Sequence, residues 1–235
     1  MSNDSTALPA LPSDLRLGPV HIVVTDLDRS ADFYERAIGL RPHSRNGAEA
    51  TLSAGGEDLL VLHEDPHAKR AGRHGGLYHF ALLHPSRAEL GRAVQRLAAT
   101  ATPIQGASDH GISEAIYLPD PDGNGIELAA DRPRERWGDL IGFEVMTHFG
   151  SAAFVAAGGY HHHLGLNTWR GEGVPPVPAG RVGLEHWTVL LPEAADVEAI
   201  AGRIAGAEHA FERSDGAISV ADPWGNRLRI AAEQL

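Results

Sequence analysis

The sequence predicts an α+β fold of paired βαβββ modules that form curved mixed sheets, arranged as two tandem domains of which the second is truncated. Two observations carry this prediction. Segments of the chain recur with the same order of strand and helix patterns, and one recurring unit lacks its first strand and its helix. Because a single module would leave an open sheet edge and a half-covered apolar face, we expect units one and two to pair and close a curved sheet around a cavity.

The first recurrence links the middle of the chain to its C-terminal part. His79 in GGLYHFALL aligns with His186 in VGLEHWTVLL, and the turn that begins at Asp120 aligns with the turn that begins at Asp222. In each copy a strand is followed by a helix and then by strands that enclose an Asp-Pro-x-Gly-Asn turn. The two segments are therefore copies of one structural unit.

The second recurrence is free of gaps. IGLRPHSRNGAEATLSAGGEDLLVLHE, from Ile38, aligns with IGFEVMTHFGSAAFVAAGGYHHHLGLN, from Ile141. A strand, PVHIVV, and a helix, DRSADFYERA, precede Ile38, with Asp28 as the predicted N-cap and Gly39 as the predicted C-cap. No such pair precedes Ile141. The chain therefore holds four related units of roughly fifty residues, in the order complete, complete, truncated, complete.

Composition and charge narrow the class of protein. Lysine and arginine total 20 against 31 aspartate and glutamate residues, a net charge of -11, and no dense basic run occurs, so we expect no nucleic-acid partner. The chain has no cysteine, no signal-peptide pattern and no apolar run of membrane-spanning length, so we expect a cytoplasmic protein without a membrane partner. We divide it into a flexible tail (1–14), a metal-binding domain (15–131) and a truncated second domain without a metal triad (132–235).

Three residues interrupt apolar strand patterns in the first two units. His21 lies within VHIVV, His79 within LYHFALL and Glu127 within IELAA. A carboxylate is costly to bury in a strand unless it is paired or bound to a metal. Two histidines and one glutamate from three strands would form a 2-His-1-carboxylate triad, which leaves open positions on Fe(II). The alternative is that each histidine is a hydrogen-bonded core residue, the commoner role of a lone strand histidine.

Four stretches carry a family resemblance: GPVHIVVTDLDRSADFYERAIGL, GGLYHFAL, GASDHGISEAIYLPDPDGNGIELAADRPRERW and AAGGYHHHLGLNTW. They resemble the vicinal oxygen chelate superfamily (glyoxalases, bleomycin resistance proteins and extradiol dioxygenases), and within it the catechol 2,3-dioxygenase-like branch, over nearly all of the chain after about Leu17. The resemblance implies an oxidoreductase of aromatic compound catabolism. Such an extradiol dioxygenase inserts dioxygen into a small aromatic diol, a catechol, next to its hydroxyls, with Fe(II), or alternatively Mn(II), as cofactor.

The resemblance also implies catalytic roles for two further residues. His110 lies in the segment that supplies an acid/base histidine in similar enzymes, and Tyr117 resembles the tyrosine that hydrogen-bonds the substrate or the oxygen adduct. His110 as a loop residue and Tyr117 as a packing residue are equally good alternatives. Asp109 would orient His110 or cap a turn. No physical role follows for the run from His161 to His163.

The C-terminal half differs at one of the predicted metal positions. Arg229 stands where Glu127 stands in the second unit, and an arginine cannot ligate a cation. The sequence therefore assigns the metal to the N-terminal half. Common extradiol enzymes, by resemblance, hold it in the C-terminal domain.

Two other functions stay open. One is a glyoxalase-like lyase or isomerase, whose chemistry uses a fourth protein ligand from the closing strand of the partner unit, although the stretch from Leu59 to Leu62 offers none. The other is a non-catalytic small-molecule binding protein. Loss of a strand and a helix from the third unit should expose a sheet edge and apolar surface, so we also expect a homo-oligomer.

Overall fold

The first two units contain their predicted strands and helices in the computed structural model, which describes residues 11–133, 148–158 and 160–233. Unit one comprises a short strand, a second strand, a helix with a π-helical last turn, and three further strands: β1 Arg16–Leu17, β2 Val20–Val24, α1 Leu27–Phe33, the π-helical turn Tyr34–Ile38, β3 Arg41–Asn46, β4 Glu49–Ser53 and β5 Asp58–Glu64. Unit two follows the same order: β6 Phe80–Leu83, α2 Arg87–Ala99, β7 Gly106–Asp109, β8 Ser113–Pro119 and β9 Gly125–Asp131.

The last two units also follow the predicted order. Unit three contributes three strands within the described residues: β10 His148–Phe149, β11 Ala152–Val155 and β12 Leu164–Asn167. Unit four is complete: β13 Gly183–Leu191, α3 Ala194–Gly206, β14 Glu212–Ser214, β15 Ala217–Ala221 and β16 Arg227–Ala232. Most of the predicted tail, and Ile141, where the second recurrence begins, lie outside the described residues. No helix in the described part of the chain is long and apolar enough to cross a membrane.

The sheets join the units in a different pairing from the expected one. Strand β2 of unit one pairs antiparallel with β13 of unit four, and the resulting sheet runs in the order β14-β15-β16-β13-β2-β5-β4-β3. Unit two forms its own four-stranded sheet, β6-β9-β8-β7, and unit three forms a three-stranded sheet. The expectation that units one and two share a sheet is therefore wrong. Instead, the edge of β2 in unit one forms hydrogen bonds with the edge of β13 in unit four.

Units one and two are nevertheless packed together through their apolar faces. One core combines Ile22 and Leu62 of unit one with Leu97, Ile126 and Leu128 of unit two, all of them almost fully buried. A second core lies within unit four, where α3 covers β13, β15 and β16, with Leu15 as its contribution from the N-terminal part. Each helix thus covers one face of its sheet and leaves the other face for polar side chains.

The helix of unit one begins two residues earlier than the sequence pattern suggested. Asp26, not Asp28, is the N-cap, because its Oδ1 accepts a hydrogen bond from the Arg29 backbone N–H at 2.9 Å. Gly39 ends the helix in the left-handed region, with φ of 93°, as predicted.

The repeated Asp-Pro-x-Gly-Asn turn has the same hydrogen bonds in units two and four. Asp120 Oδ1 accepts from the backbone N–H groups of Asp122 and Asn124, at 2.9 and 2.8 Å, and Asp120 Oδ2 accepts from the Asn124 side chain at 2.8 Å. Asp222 accepts the equivalent three bonds in unit four. In unit two, β9 begins directly after this turn and pairs with β6. The turn therefore fixes where Glu127 lies.

Candidate active site

Two of the predicted metal ligands meet on neighbouring strands of unit two. His79 immediately precedes β6, and Glu127 lies on β9, which runs parallel to β6. His79 Nε2 is 2.9 Å from Glu127 Oε2, and the glutamate side chain is only 10% exposed. A buried carboxylate thus has an imidazole as its direct partner, as burial of a charge requires.

The two predicted catalytic residues extend this contact into a hydrogen-bonded chain. Tyr117 lies opposite Glu127 in the antiparallel pairing of β8 with β9, and its hydroxyl donates to Glu127 Oε1 at 3.0 Å. His110 Nε2 is 2.9 Å from the Tyr117 hydroxyl. His110 is exposed, at the tip of the hairpin between β7 and β8. The chain therefore runs from a buried carboxylate to a surface imidazole.

The environment keeps Glu127 ionised and Tyr117 protonated. Burial opposes the charged form of Glu127, but the hydrogen bonds from His79 and Tyr117 together outweigh it, and the pKa of Glu127 lies below its usual value. Burial, followed by the charge of Glu127, raises the pKa of the Tyr117 hydroxyl well above its ordinary value. At neutral pH the site thus offers a carboxylate oxygen as a ligand and a phenol as a hydrogen-bond donor.

The histidine run of unit three reaches the same region. His161 Nε2 is 3.0 Å from Asp131 Oδ1, and the Tyr160 hydroxyl donates to Asp131 Oδ2 at 3.1 Å, which ties unit three to the end of β9. Burial, and then the neighbouring His161, lowers the pKa of His162 to about 4. The charge of Glu127 acts in the opposite direction on the same group. The sequence predicts no role for this run, because Asp131, the partner of Tyr160 and His161, lies in another unit.

Asp109 acts as a turn residue. Its Oδ1 accepts from the Gly111 backbone N–H at 2.9 Å, and its Oδ2 accepts from Arg132 at 2.6 Å. The structure thus gives Asp109 contacts that shape the hairpin carrying His110, which is one of the two roles expected from the sequence.

The structure does not bring His21 to His79 and Glu127. His21 lies on β2, with its Nδ1 2.9 Å from His63 Nε2 and its ring stacked on His186 at 3.8 Å between centroids. Among the described residues, no three His, Cys, Asp or Glu side chains are grouped so that they could hold a metal. The physical reason is the sheet pairing, because β2 joins unit four and not unit two.

Sequence comparison identifies the family. A family model described as the glyoxalase/bleomycin resistance protein/dioxygenase superfamily matches residues 16–128. A catechol-2,3-dioxygenase of Bacillus subtilis (strain 168) is 33% identical over 276 residues, which cover 92% of this chain and 96% of the relative. The chain belongs to the vicinal oxygen chelate superfamily. Within that superfamily it is catechol 2,3-dioxygenase-like. The comparison spans more residues than the 235 of this chain, so the relative carries residues that have no counterpart here.

Solved structures share the vicinal oxygen chelate fold over most of the chain. A putative dioxygenase from Bacillus subtilis matches with a TM-score of 0.66 and 14% identity, covering 93% of this chain and 86% of that chain. A glyoxalase I mutant from Zea mays matches with a TM-score of 0.62 and 17% identity, covering 93% of each chain. Both support the predicted fold class.

Strand register defines equivalent positions in three units of this vicinal oxygen chelate protein. Glu127 lies opposite Ala81, two residues after His79, and Arg229 lies opposite Thr188, two residues after His186. In unit one, the residue opposite Val23, two residues after His21, is His63. His63 is therefore the unit-one counterpart of Glu127. The stretch from Leu59 to Leu62, which offers no fourth metal ligand, ends one residue before His63. The parallel register of β2 and β5 is the feature that identifies His63.

Proposed function

We propose that the chain is an extradiol ring-cleaving dioxygenase that inserts dioxygen into a catechol next to its hydroxyls. The observation that carries this proposal is the contact of His79 with the buried carboxylate of Glu127, with Tyr117 and His110 hydrogen-bonded in line behind it. The relative named a catechol-2,3-dioxygenase covers nearly the whole chain, which supports the same activity. The substrates would be a small aromatic diol and dioxygen.

His79 and Glu127 supply two donor groups of the types that an iron site uses. An imidazole and an ionised carboxylate in contact are two of the three ligands of a 2-His-1-carboxylate centre, so these two residues would hold Fe(II), or alternatively Mn(II). His21, the third ligand expected from the sequence, lies in the other sheet. When bound, the metal would supply a common binding point for the catechol oxygens and dioxygen.

The surrounding residues position these ligands and handle protons. Tyr117 fixes the orientation of Glu127 through one carboxylate oxygen, while His79 contacts the other oxygen. The Tyr117 hydroxyl keeps its one proton, so Tyr117 would hydrogen-bond a substrate oxygen by redirecting this donor from Glu127. His110, at 2.9 Å from that hydroxyl, is placed to exchange a proton between the site and solvent.

We further propose a cytoplasmic homo-oligomer with no nucleic-acid or membrane partner, and a division into residues 15–131 and 132–235. The first core supports this division, because all its residues belong to units one and two. The net negative charge, from 31 acidic against 20 basic residues, supports the absence of a nucleic-acid partner.

The test is anaerobic loading of the purified protein with Fe(II), followed by catechol and air. Bound iron and the yellow ring-opened product are measured together, in the wild type and in Glu127→Ala. We expect both iron and product to disappear in Glu127→Ala. Glu114→Gln is the matched control, because Glu114 lies on neighbouring β8, pairs with Arg87 at 2.6 Å and does not contact the Glu127 group.

The other outcomes favour the rival functions. Iron bound through Glu127 without ring-opened product would favour a different metal-dependent reaction, such as a glyoxalase-like lyase or isomerase. No specific binding of iron or manganese would contradict the proposal and favour a non-catalytic small-molecule binding protein.

A further inference from the structure

The seam between units one and four gathers four polar side chains on one face of the continuous sheet. Ile22 and Leu62 point into the first core, and Leu228 and Ile230 into the second core, so their strand neighbours point to the opposite face. The same alternation applies to β13, where Trp187 and Val189 pack on the second core. The residues brought to the free face by this alternation are His21, His63, His186 and Arg229.

These side chains contact one another across adjacent strands. His21 Nδ1 is 2.9 Å from His63 Nε2, and the His21 ring stacks on His186 with centroids 3.8 Å apart. Arg229 lies on β16 opposite Thr188, which is two residues after His186 on the same face of β13, and its charge lowers the pKa of both His21 and His186. Each of these four side chains is partly buried, so the group is sheltered but still open to a small solute.

The group occupies the same positions as the candidate metal ligands of unit two. His21 and His186 are equivalent to His79, while His63 and Arg229 lie at the positions equivalent to Glu127. Where unit two has a carboxylate, the seam has an imidazole and a guanidinium. The seam therefore places side chains at the positions of the candidate metal ligands of unit two, but with the positive charge of Arg229 where unit two has the negative charge of Glu127.

Among the charged groups around the seam, Arg229 is a cation for which the described residues supply no carboxylate in an ion pair. Arg229 makes no ion pair within the part of the chain that the structure describes, whereas nearby Arg227 lies 3.9 Å from Glu212. Glu49 lies at the edge of the group, 3.3 Å from His63 Nδ1, and Glu185 is exposed on β13 beside His186. Burial, and then the charges of its neighbours, lowers the pKa of His21 to about 3, so a second positive charge does not develop there at neutral pH.

We propose that the seam binds a small oxyanion, a carboxylate or a phosphate, with the Arg229 guanidinium as its charge partner and imidazole N–H groups of His21 and His186 as further donors. A planar guanidinium and neutral imidazoles together present several N–H donors to one oxyanion without requiring a protonated histidine. The two classes of anion share this chemistry. The site is separate from His79 and Glu127, so its test does not depend on the dioxygenase activity.

The test is isothermal titration calorimetry of the metal-free full-length protein with inorganic phosphate and, separately, with acetate. We expect saturable binding of at least one anion, weakened about ten-fold or more in Arg229→Gln and largely retained in Arg229→Lys, because a charged hydrogen bond is lost only in the first variant. Arg213→Gln is the matched control, because Arg213 lies on the same sheet but is paired with Glu198 at 2.6 Å. Circular dichroism of each variant shows that it is folded.

A second variant tests the reversal of charge directly. Arg229→Glu places a carboxylate beside His186, as Glu127 lies beside His79, so we expect it to lose anion binding and to bind Zn(II), which is followed by the imidazole signals in NMR spectra. Equal anion affinity in Arg229→Gln and wild type, or no saturable anion binding in wild type, would overturn the proposal. So would stoichiometric Zn(II) binding by wild type that His186→Gln abolishes.

Discussion

At the scale of single residues, the hydroxyl of Tyr117 is the connection between the buried and exposed parts of the candidate site. It bonds Glu127 at 3.0 Å on one side and lies 2.9 Å from His110 on the other. Its removal should leave Glu127 with one hydrogen bond fewer and separate His110 from the carboxylate. Both effects follow from a change of a single oxygen atom.

Tyr117→Phe should therefore impair activity more than stability. We expect ring-cleavage activity to fall by about ten- to hundred-fold, because proton transfer and orientation are both affected. The free energy of unfolding should fall by only about 1 kcal/mol, the usual net effect of one hydrogen bond. Activity of the iron-loaded protein and urea denaturation measure the two effects. Tyr78→Phe, a change at an exposed neighbouring ring, is the control, and an equal loss of activity there would contradict the assignment.

His84 should make the stability of the protein depend on pH. Its Nε2 is buried without a hydrogen-bond partner in the described structure, and burial, followed by the charge of Arg96, lowers its pKa below the ordinary 6.5. The unfolded chain therefore takes up a proton at a higher pH than the folded protein does. The contribution of neutral His84 to folding is fully present above pH 6.5 and is lost as the pH falls below that value.

His84→Leu should remove this part of the pH dependence. We expect the free energy of unfolding of the variant to fall less than that of the wild type between pH 7.5 and pH 5, by at most about 1.4 kcal/mol per pH unit. Urea denaturation at several pH values measures the difference. Parallel curves for the two proteins would show that His84 is equally easy to protonate in both states.

At the scale of strands and helices, a glycine at the start of β9 sets the distance between the two strands of the candidate site. A Cβ atom on Gly125 would lie 2.1 Å from the Tyr78 carbonyl oxygen and 3.0 Å from the His79 side chain. Only glycine allows β9 to approach the chain at this point without displacing it. The contact between His79 and Glu127 depends on that approach.

Gly125→Ala should thus disturb both the fold and the site. We expect it to lower the free energy of unfolding by at least about 2 kcal/mol, because the clash is with backbone and cannot be relieved by a side-chain rotation. Iron binding should weaken as β9 moves away from His79. Gly106→Ala on β7 is the control, since a Cβ there meets no atom within 4 Å. Similar losses in both variants would contradict a role for the close approach.

The sequence predicted the strands and helices of each unit better than the way in which the units pair with one another. The two recurrences located the strands and helices, because a repeated pattern reports local structure wherever it occurs. They could not show that β2 pairs with β13, since β2, β6 and β13 are equivalent first strands with similar apolar patterns. The same uncertainty misplaced His21. The contact of Glu127 with His79 was predictable because both belong to one unit, and that of His161 with Asp131 was not because the two belong to different units.

At the scale of the whole molecule, the sheet through β2 and β13 ties the two halves of the chain together. Gly18 donates a backbone hydrogen bond to Thr188 at 3.0 Å, and Arg16 bonds Glu233 at 2.5 Å. Two loops also meet, because the Lys69 backbone N–H donates to the Gly180 carbonyl oxygen at 2.9 Å and the Val182 N–H donates to the Lys69 carbonyl oxygen at 3.0 Å. Separation of the halves would break an uninterrupted sheet and leave two unpaired edges.

Two polypeptides made by splitting the chain between residues 139 and 140 should consequently associate. We expect them to copurify when expressed together and to unfold in a single transition, because in separate fragments β2 and β13 would each lose the strand pairing along one of their two edges. Affinity purification through a tag on one fragment, followed by urea denaturation, measures both properties. Independent folding of the two fragments would contradict the structural importance of the seam.

The pairing of β2 with β13 also bears on how the protein forms during synthesis. Strand β2 ends at Val24, but its neighbour β13 begins only at Gly183, so β2 leaves the ribosome long before β13 does. Until unit four has been made, β2 has a free edge that could pair with another nascent chain. Contacts between such distant segments also slow folding, because a long loop must close before they form. A protein with this topology completes the sheet that contains β2 only after the strands of unit four have been made.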